Sequence, residues 1–206
     1  MHVEILSDKQ ITLLPFISQF KRSFYLVGGT AIALHIGHRK SIDFDLFSIS
    51  KLNKIKIKHA FSSVKFDKRL IGEDVDQLHF ILNEVKVTFF NYPYIVPHLE
   101  KFKNIIPMPS LISLAAMKAF ALGRRAKWKD YVDLYYILKY HFSLKEVIAE
   151  TNKIFDQVFS EKLFREQLAY HKDIDYSEEV EFLPNFAVDK NEIKSFLINI
   201  ALEGFD

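Results

Sequence analysis

A four-residue apolar run, Phe24-Tyr25-Leu26-Val27, is cut off by Gly28-Gly29, and beyond it the run Ile42-Asp43-Phe44-Asp45-Leu46-Phe47 sets two aspartates, the first fourteen positions after Gly29, into an apolar stretch. Strand formers stopped by paired glycines read as a short strand. Thr30 to Ile36 then reads as a helix with Thr30 as its N-cap, and Ile42 to Phe47 as a second strand. Residues i and i+2 of a strand share a face. Asp43 and Asp45 therefore project together, while Phe44 and Leu46 point into the interior.

The rest of the chain changes period part-way. Lys9 to Phe20 predicts a helix kinked near Pro15, and Lys51 to Phe61 a basic helix. Gln77–Leu82 and Val85–Phe90 read as strands joined by a turn at Asn83-Glu84. Tyr92 to Pro109 holds four prolines and reads as an extended connection. Beyond it, Leu111–Arg125, Tyr131–Tyr140, Leu144–Phe159 and Asn191–Leu202 space their apolar residues at three and four, as helices do. Strands early and helices late make an α+β chain.

With 49% apolar residues and 20 phenylalanines among 206 positions, the chain has material for a sizeable core. It has no cysteine, which excludes disulfides and thiolate metal sites and suits a reducing, cytoplasmic setting. The longest uncharged stretch, Ser23 to Gly37, is too short for a membrane span and is broken by glycines. No targeting segment is expected at the N-terminus. Charge is unevenly placed: residues 1–140 carry 21 Lys/Arg against 12 Asp/Glu, and residues 141–206 carry 7 against 14. A basic front suits phosphates, although two solvated faces of opposite sign explain the counts as well.

A strand that ends in glycines and opens a helix brings backbone N–H groups close to a phosphate, with the helix dipole favouring the anion. Two carboxylates side by side repel unless a cation lies between them. Hard oxygen ligands of this kind suit Mg²⁺, which binds substrate phosphates in turn. Gly-Gly alone marks a turn, and Asp-x-Asp alone a solvated face. Their combination across a helix is far more specific.

Gly28-Gly29-Thr30, His38-Arg39, Ser41 and Asp43-Phe44-Asp45-Leu46-Phe47 resemble the first motif of the AbiEii/AbiGii-type nucleotidyltransferase toxins, a branch of the polymerase-β-like superfamily. The resemblance continues through Val85–Phe90, Tyr92-Pro93-Tyr94, Ala116–Ala119 and Lys129–Tyr135. It implies a mixed-sheet catalytic lobe with flanking helices over residues 1–106 and a helical lobe over 107–206 that completes the cleft. It implies transfer of a nucleotide from an NTP to an acceptor such as tRNA or another RNA, dependent on Mg²⁺ or Mn²⁺. It also implies an antitoxin partner, or a role in phage defence. Carried onto this chain, Asp43 and Asp45 would hold the metal, and Gly28, Gly29, Thr30 and Ser41 would cradle phosphate. Arg39 and Lys118 would neutralise the triphosphate, and Asp130 and Asp133, on one helix face, would close the site.

Many members of the superfamily carry a third carboxylate where this chain has Thr88; Asp76 and Glu84 are the nearby acids. A hydroxyl is a weaker Mg²⁺ ligand and a poor base. The alternative to an enzyme is therefore a degenerate nucleotide- or RNA-binding module that lost turnover through Thr88. Other charged groups read as structural. Arg124, Arg125 and Lys127 complement a helix C-terminus, Lys51, Lys54, Lys56 and Lys58 form a solvated helix face, and Asp173 to Glu181 is a surface loop.

Overall fold

The computed structural model describes residues 1–122 and 124–203. Five strands, β1 (Tyr25–Val27), β2 (Phe44–Ser48), β3 (Lys68–Glu73), β4 (Gln77–Leu82) and β5 (Val85–Asn91), form a mixed sheet in the order β1-β2-β5-β4-β3. Only the central β2–β5 pair is parallel. Asn83 and Glu84 both take positive φ, 51° and 65°, which closes the expected β4–β5 hairpin with two residues.

Strand alternation sorts the phenylalanines onto both faces of the sheet. Phe24, Phe80 and Phe89 lie on one face with Phe16 of α1 (Asp8–Ile17) and Phe61 of α3 (Lys54–Ser62); Phe61 stacks on Phe80 at 3.8 Å. On the other face Phe47, Phe90 and Tyr92 meet the helical region, where Phe120 of α4 (Leu111–Leu122) stacks on Phe155 of α6 (Leu144–Phe155) at 4.0 Å. Each ring so buried contributes about 1.5–3 kcal/mol. Helix α2 (Gly28–Ile36) is apolar nearly all round, so it is a buried helix. It packs between the sheet and the pair α4 and α5 (Trp128–Tyr140).

Several expectations need correction. Pro15 lies inside α1, which runs on to Ile17 and only then tightens into a 3₁₀ turn at Ser18–Phe20. Thr30 is not an N-cap: α2 begins at Gly28, and its cap residue, Val27, offers no side-chain bond. Asp43 precedes β2 rather than lying within it. The proline-bearing connection carries a short antiparallel pair, β6 (Glu100–Phe102) with β7 (Ile106–Met108). Strand β3 is solvent-exposed and charged, and so lacks the alternation that marks a strand. Helix α6 stops at Phe155, with α7 (Glu161–Ala169) and α8 (Lys190–Leu202) beyond. The expected run of α4 through Gly123 to Arg125 crosses a residue outside the described ones; Arg124 is already in a turn.

Candidate active site

The site is built where β1 turns into α2. Gly28 holds φ +73°, in the left-handed region, and a Cβ there would collide with the Asp45 carboxylate. A Cβ on Gly29 would lie 2.5 Å from the Arg39 guanidinium. The backbone is thus pressed against both groups, which only glycine permits at position 28. Within the first turn of α2, the Thr30 hydroxyl donates to the Asp43 carbonyl and lies 2.9 Å from Ser41 Oγ. Thr30 and Ser41 therefore fasten the loop that delivers Asp43.

Asp45 pairs across the strands with Val27 on one side and Thr88 on the other, and Thr88 pairs with His79. One row of the sheet thus reads Val27, Asp45, Thr88, His79. Burial pushes both aspartates above the usual carboxylate range, and for Asp43 the neighbouring Asp45 adds to it. Opposing this at Asp45 are the positive charges of Arg125 and Lys86, with the Thr88 hydroxyl a lesser influence; at Asp43, Lys86 and Lys129. Two half-buried carboxylates side by side, with Asp45 raising the cost of ionising Asp43, are electrostatically short of positive charge.

Arg39, Lys118, Asp130 and Asp133 come together, but chiefly with one another. Asp133 is fully buried and accepts from Arg39 Nε at 2.7 Å, Arg39 Nη2 at 2.9 Å and His38 Nε2 at 2.8 Å. The Lys118 ammonium, 6% exposed, lies 2.6 Å from Asp130 and 3.0 Å from Asp133. The cations hold the Asp133 carboxyl well below the usual range, with Arg39 the larger contributor. Desolvation outweighs Asp133 at His38 and keeps that imidazole neutral. The network joins the loop after α2 to α4 and α5.

Three groups escaped sequence reasoning. Arg125, read as a helix-end charge, donates to Asp130 at 3.0 Å while its side chain stays 53% exposed, and it also acts on Asp45. It is the solvent-facing cation that links the buried network to the aspartate pair. Lys86 faces both Asp43 and Asp45 from β5. His79 lies 3.2 Å from Thr88 Oγ1 through Nδ1, and its Nε2 donates to Gln77 Oε1 at 3.0 Å. Burial lowers its pKa, so Nδ1 carries a free pair facing the hydroxyl. The signal for His79 was present, because a two-residue turn at Asn83-Glu84 sets it opposite Thr88.

The segment expected to be a surface loop is one, mostly exposed, and its backbone is tied down as a strap. Asp175 N donates to Ala126 O at 2.7 Å, Lys40 N to Glu181 O at 2.8 Å, and Leu183 N to His38 O at 3.0 Å. Glu178 pairs with Lys127 and, at 2.8 Å, with Lys129, which brings its carboxyl down to about 2. The acidic tail section therefore covers the basic front here. Asp76 and Glu84, the acids nearest Thr88 in sequence, are not in the row: Asp76 lies before β4, and Glu84 is at the exposed turn, paired with Lys9.

Residues 16–95 and 82–202 match the AbiEii family, described as nucleotidyl transferase AbiEii toxin of the type IV toxin–antitoxin system. The chain belongs to this family. It is 33% identical over 180 residues to an uncharacterized protein, aq_aa25, of Aquifex aeolicus, covering 82% of this chain and 77% of that one. Its fold is shared with MenT4, a nucleotidyltransferase toxin of Mycobacterium tuberculosis, at TM-score 0.63 and 13% identity over 96% of this chain and 84% of that one. JHP933 of Helicobacter pylori superposes at TM-score 0.58 and 15% identity, over 95% and 91%. The α+β architecture is thus that of nucleotidyltransferases. Among the described residues no helix is long and apolar enough to cross a membrane.

Proposed function

We propose that this protein is a cytoplasmic nucleotidyltransferase toxin that moves a nucleotide from an NTP to an RNA acceptor and is neutralised by a protein antitoxin. The observation that carries the reading is the pair Asp43 and Asp45, half-buried beside a turn that only glycine can make and faced by Arg125, Lys86 and Lys129. The family supports the transferase class; the acceptor and the metal are our inference.

The donor set suits Mg²⁺ or Mn²⁺. Asp43 and Asp45 supply two hard carboxylates whose burial penalty a divalent cation would reverse, with the Thr88 hydroxyl beside Asp45. Two protein carboxylates would leave the remaining positions around such an ion to water and substrate phosphates. When bound, such an ion orients the triphosphate and offsets charge on the reacting phosphate. The chain's own groups do the rest. The backbone at Gly28 and Gly29 approaches the phosphates, and Arg125, Lys86 and Lys129 balance their charge. Arg39, Lys118, Asp130 and Asp133 act as the joint that sets the lobes of residues 1–106 and 107–206 around this cleft. The acceptor hydroxyl attacks the α-phosphorus, pyrophosphate leaves, and the hydroxyl proton passes by way of Thr88 to the free pair of His79 Nδ1.

Titration calorimetry with NTP and MgCl₂ tests the metal reading. Wild type is expected to bind NTP only with the cation, and Asp43→Ala and Asp45→Ala to lose that binding while melting normally. Unchanged Mg²⁺-dependent affinity in both variants would remove the aspartates from the site.

A further inference from the structure

At the opposite end of β1 and β2 from the Asp45 row lies a cavity of about 510 Å³. It is floored by Phe20, Phe24, Ile57 and Pro107, and its charged lining is Lys21, Arg22, Lys51 and Lys56, with no carboxylate. None of the four cations has an ion-pair partner among the described residues. The contrast along α3 is instructive. Lys58 pairs with Glu73 at 2.7 Å and Lys54 with Glu73 at 3.6 Å, whereas Lys51 and Lys56 turn to the cavity. The lysine series that reads as one solvated face is thus split, one half neutralised and the other left facing a pocket. Ser23, Ser48 and Ser50 add hydroxyl donors to the lining, and Asn53 caps the helix start beside them.

Four unneutralised cations with hydroxyl donors around an apolar floor are complementary to a phosphate-bearing chain. We propose that this cavity holds the sugar–phosphate backbone of an RNA strand, remote from the reacting end. Ser48 follows Asp45 by three strand residues, about 10 Å at the usual rise of about 3.3 Å per residue. That odd spacing sets the two side chains on opposite faces of β2, so one RNA molecule reaches both places by passing round the edge of the sheet at β1. The proposal rests on the reading of the acceptor as RNA, but RNA binding here does not depend on turnover.

The experiment is fluorescence anisotropy of a labelled single-stranded RNA on the full chain without NTP, over a salt series. A labelled mononucleotide is the second probe, and Lys51→Gln/Lys56→Gln and Asp45→Asn are the variants. Neither lysine has a folded-state partner, so the double variant should melt as wild type does. We expect its RNA affinity to fall about tenfold or more at low salt, and its log K against log[salt] slope to shrink by about 1.4, two phosphate contacts at about 0.7 each. The assay holds no NTP and does not read transfer, so loss of the lysine-dependent RNA binding counts against this cavity alone. Unchanged RNA affinity and slope in the double variant would overturn the proposal. So would a loss confined to the mononucleotide, which would make the cavity a nucleotide pocket, or RNA binding abolished by Asp45→Asn alone, which would return it to the first site. An acidic protein that binds through Lys51 and Lys56 while RNA does not would also overturn it.

Discussion

Asp133 is the point at which the joint can be tested most sharply. Its carboxylate has no solvent exposure and receives Arg39 through two nitrogens, His38 and Lys118, all within 3.0 Å. Asp133→Asn keeps the shape but removes the charge, and it turns an amide N–H₂ toward donors. Lys118, 6% exposed, then keeps Asp130 alone, and Arg39, 1% exposed, keeps only the Lys40 carbonyl beside the amide. Breaking a buried pair from one side costs about 3–5 kcal/mol. For a chain of this size about 2–4 °C is lost per kcal/mol, so the melting temperature should drop by roughly 6–20 °C. Circular dichroism at two scan rates measures this, with NTP affinity determined well below the transition. The joint reading predicts the thermal loss with NTP affinity within about threefold of wild type. A melting temperature within 2 °C of wild type, together with NTP affinity down tenfold, would refute it and return Arg39 and Lys118 to the triphosphate.

Other outcomes follow from the same geometry. Asp45→Asn in EDTA should melt higher than wild type, since desolvation disfavours its charge, while transfer is lost; a lower melting temperature would mean that the carboxylate is not held at a cost. Thr88→Asp should tighten Mg²⁺ binding and raise transfer if a missing carboxylate limits the enzyme. Thr88→Val and His79→Gln should each lower kcat more than they raise KM for NTP if the hydroxyl passes a proton to His79; unchanged turnover in all three removes Thr88 from the site. His38 is neutral when folded and takes up a proton below about pH 6.5 when unfolded, so its stabilising share is complete above that pH and shrinks as pH falls. Thermal melts from pH 5 to 7.5 should rise more steeply for wild type than for His38→Asn, and equal slopes would contradict the assignment.

What could be read from the residues was whatever local pattern encodes. The turn after Val27, the Asn83-Glu84 hairpin and the late helices all follow from rules acting over a few positions. The missed pieces depend on distant partners. Strand β3 exists because β4 offers an edge, not because Lys68–Glu73 alternates. The segment 173–183 is a strap because its backbone meets Ala126 and His38. Lys118 was legible as a cation in an apolar helix, but its two carboxylate partners come from the next helix. Arg125 looked like a helix-end charge until Asp130 and Asp45 converged on it.

The central claim is nucleotide transfer at the Asp43–Asp45 pair, and position-specific labelling tests it directly. The protein is incubated with RNA, Mg²⁺ and NTPs carrying ³²P at either the α or the γ phosphate. The account predicts RNA labelled from the α position only, with pyrophosphate released and no label in Asp45→Asn. Label arriving from the γ position, or none from any NTP while NTP still binds, would contradict it, the first making the protein a phosphotransferase and the second a binding module.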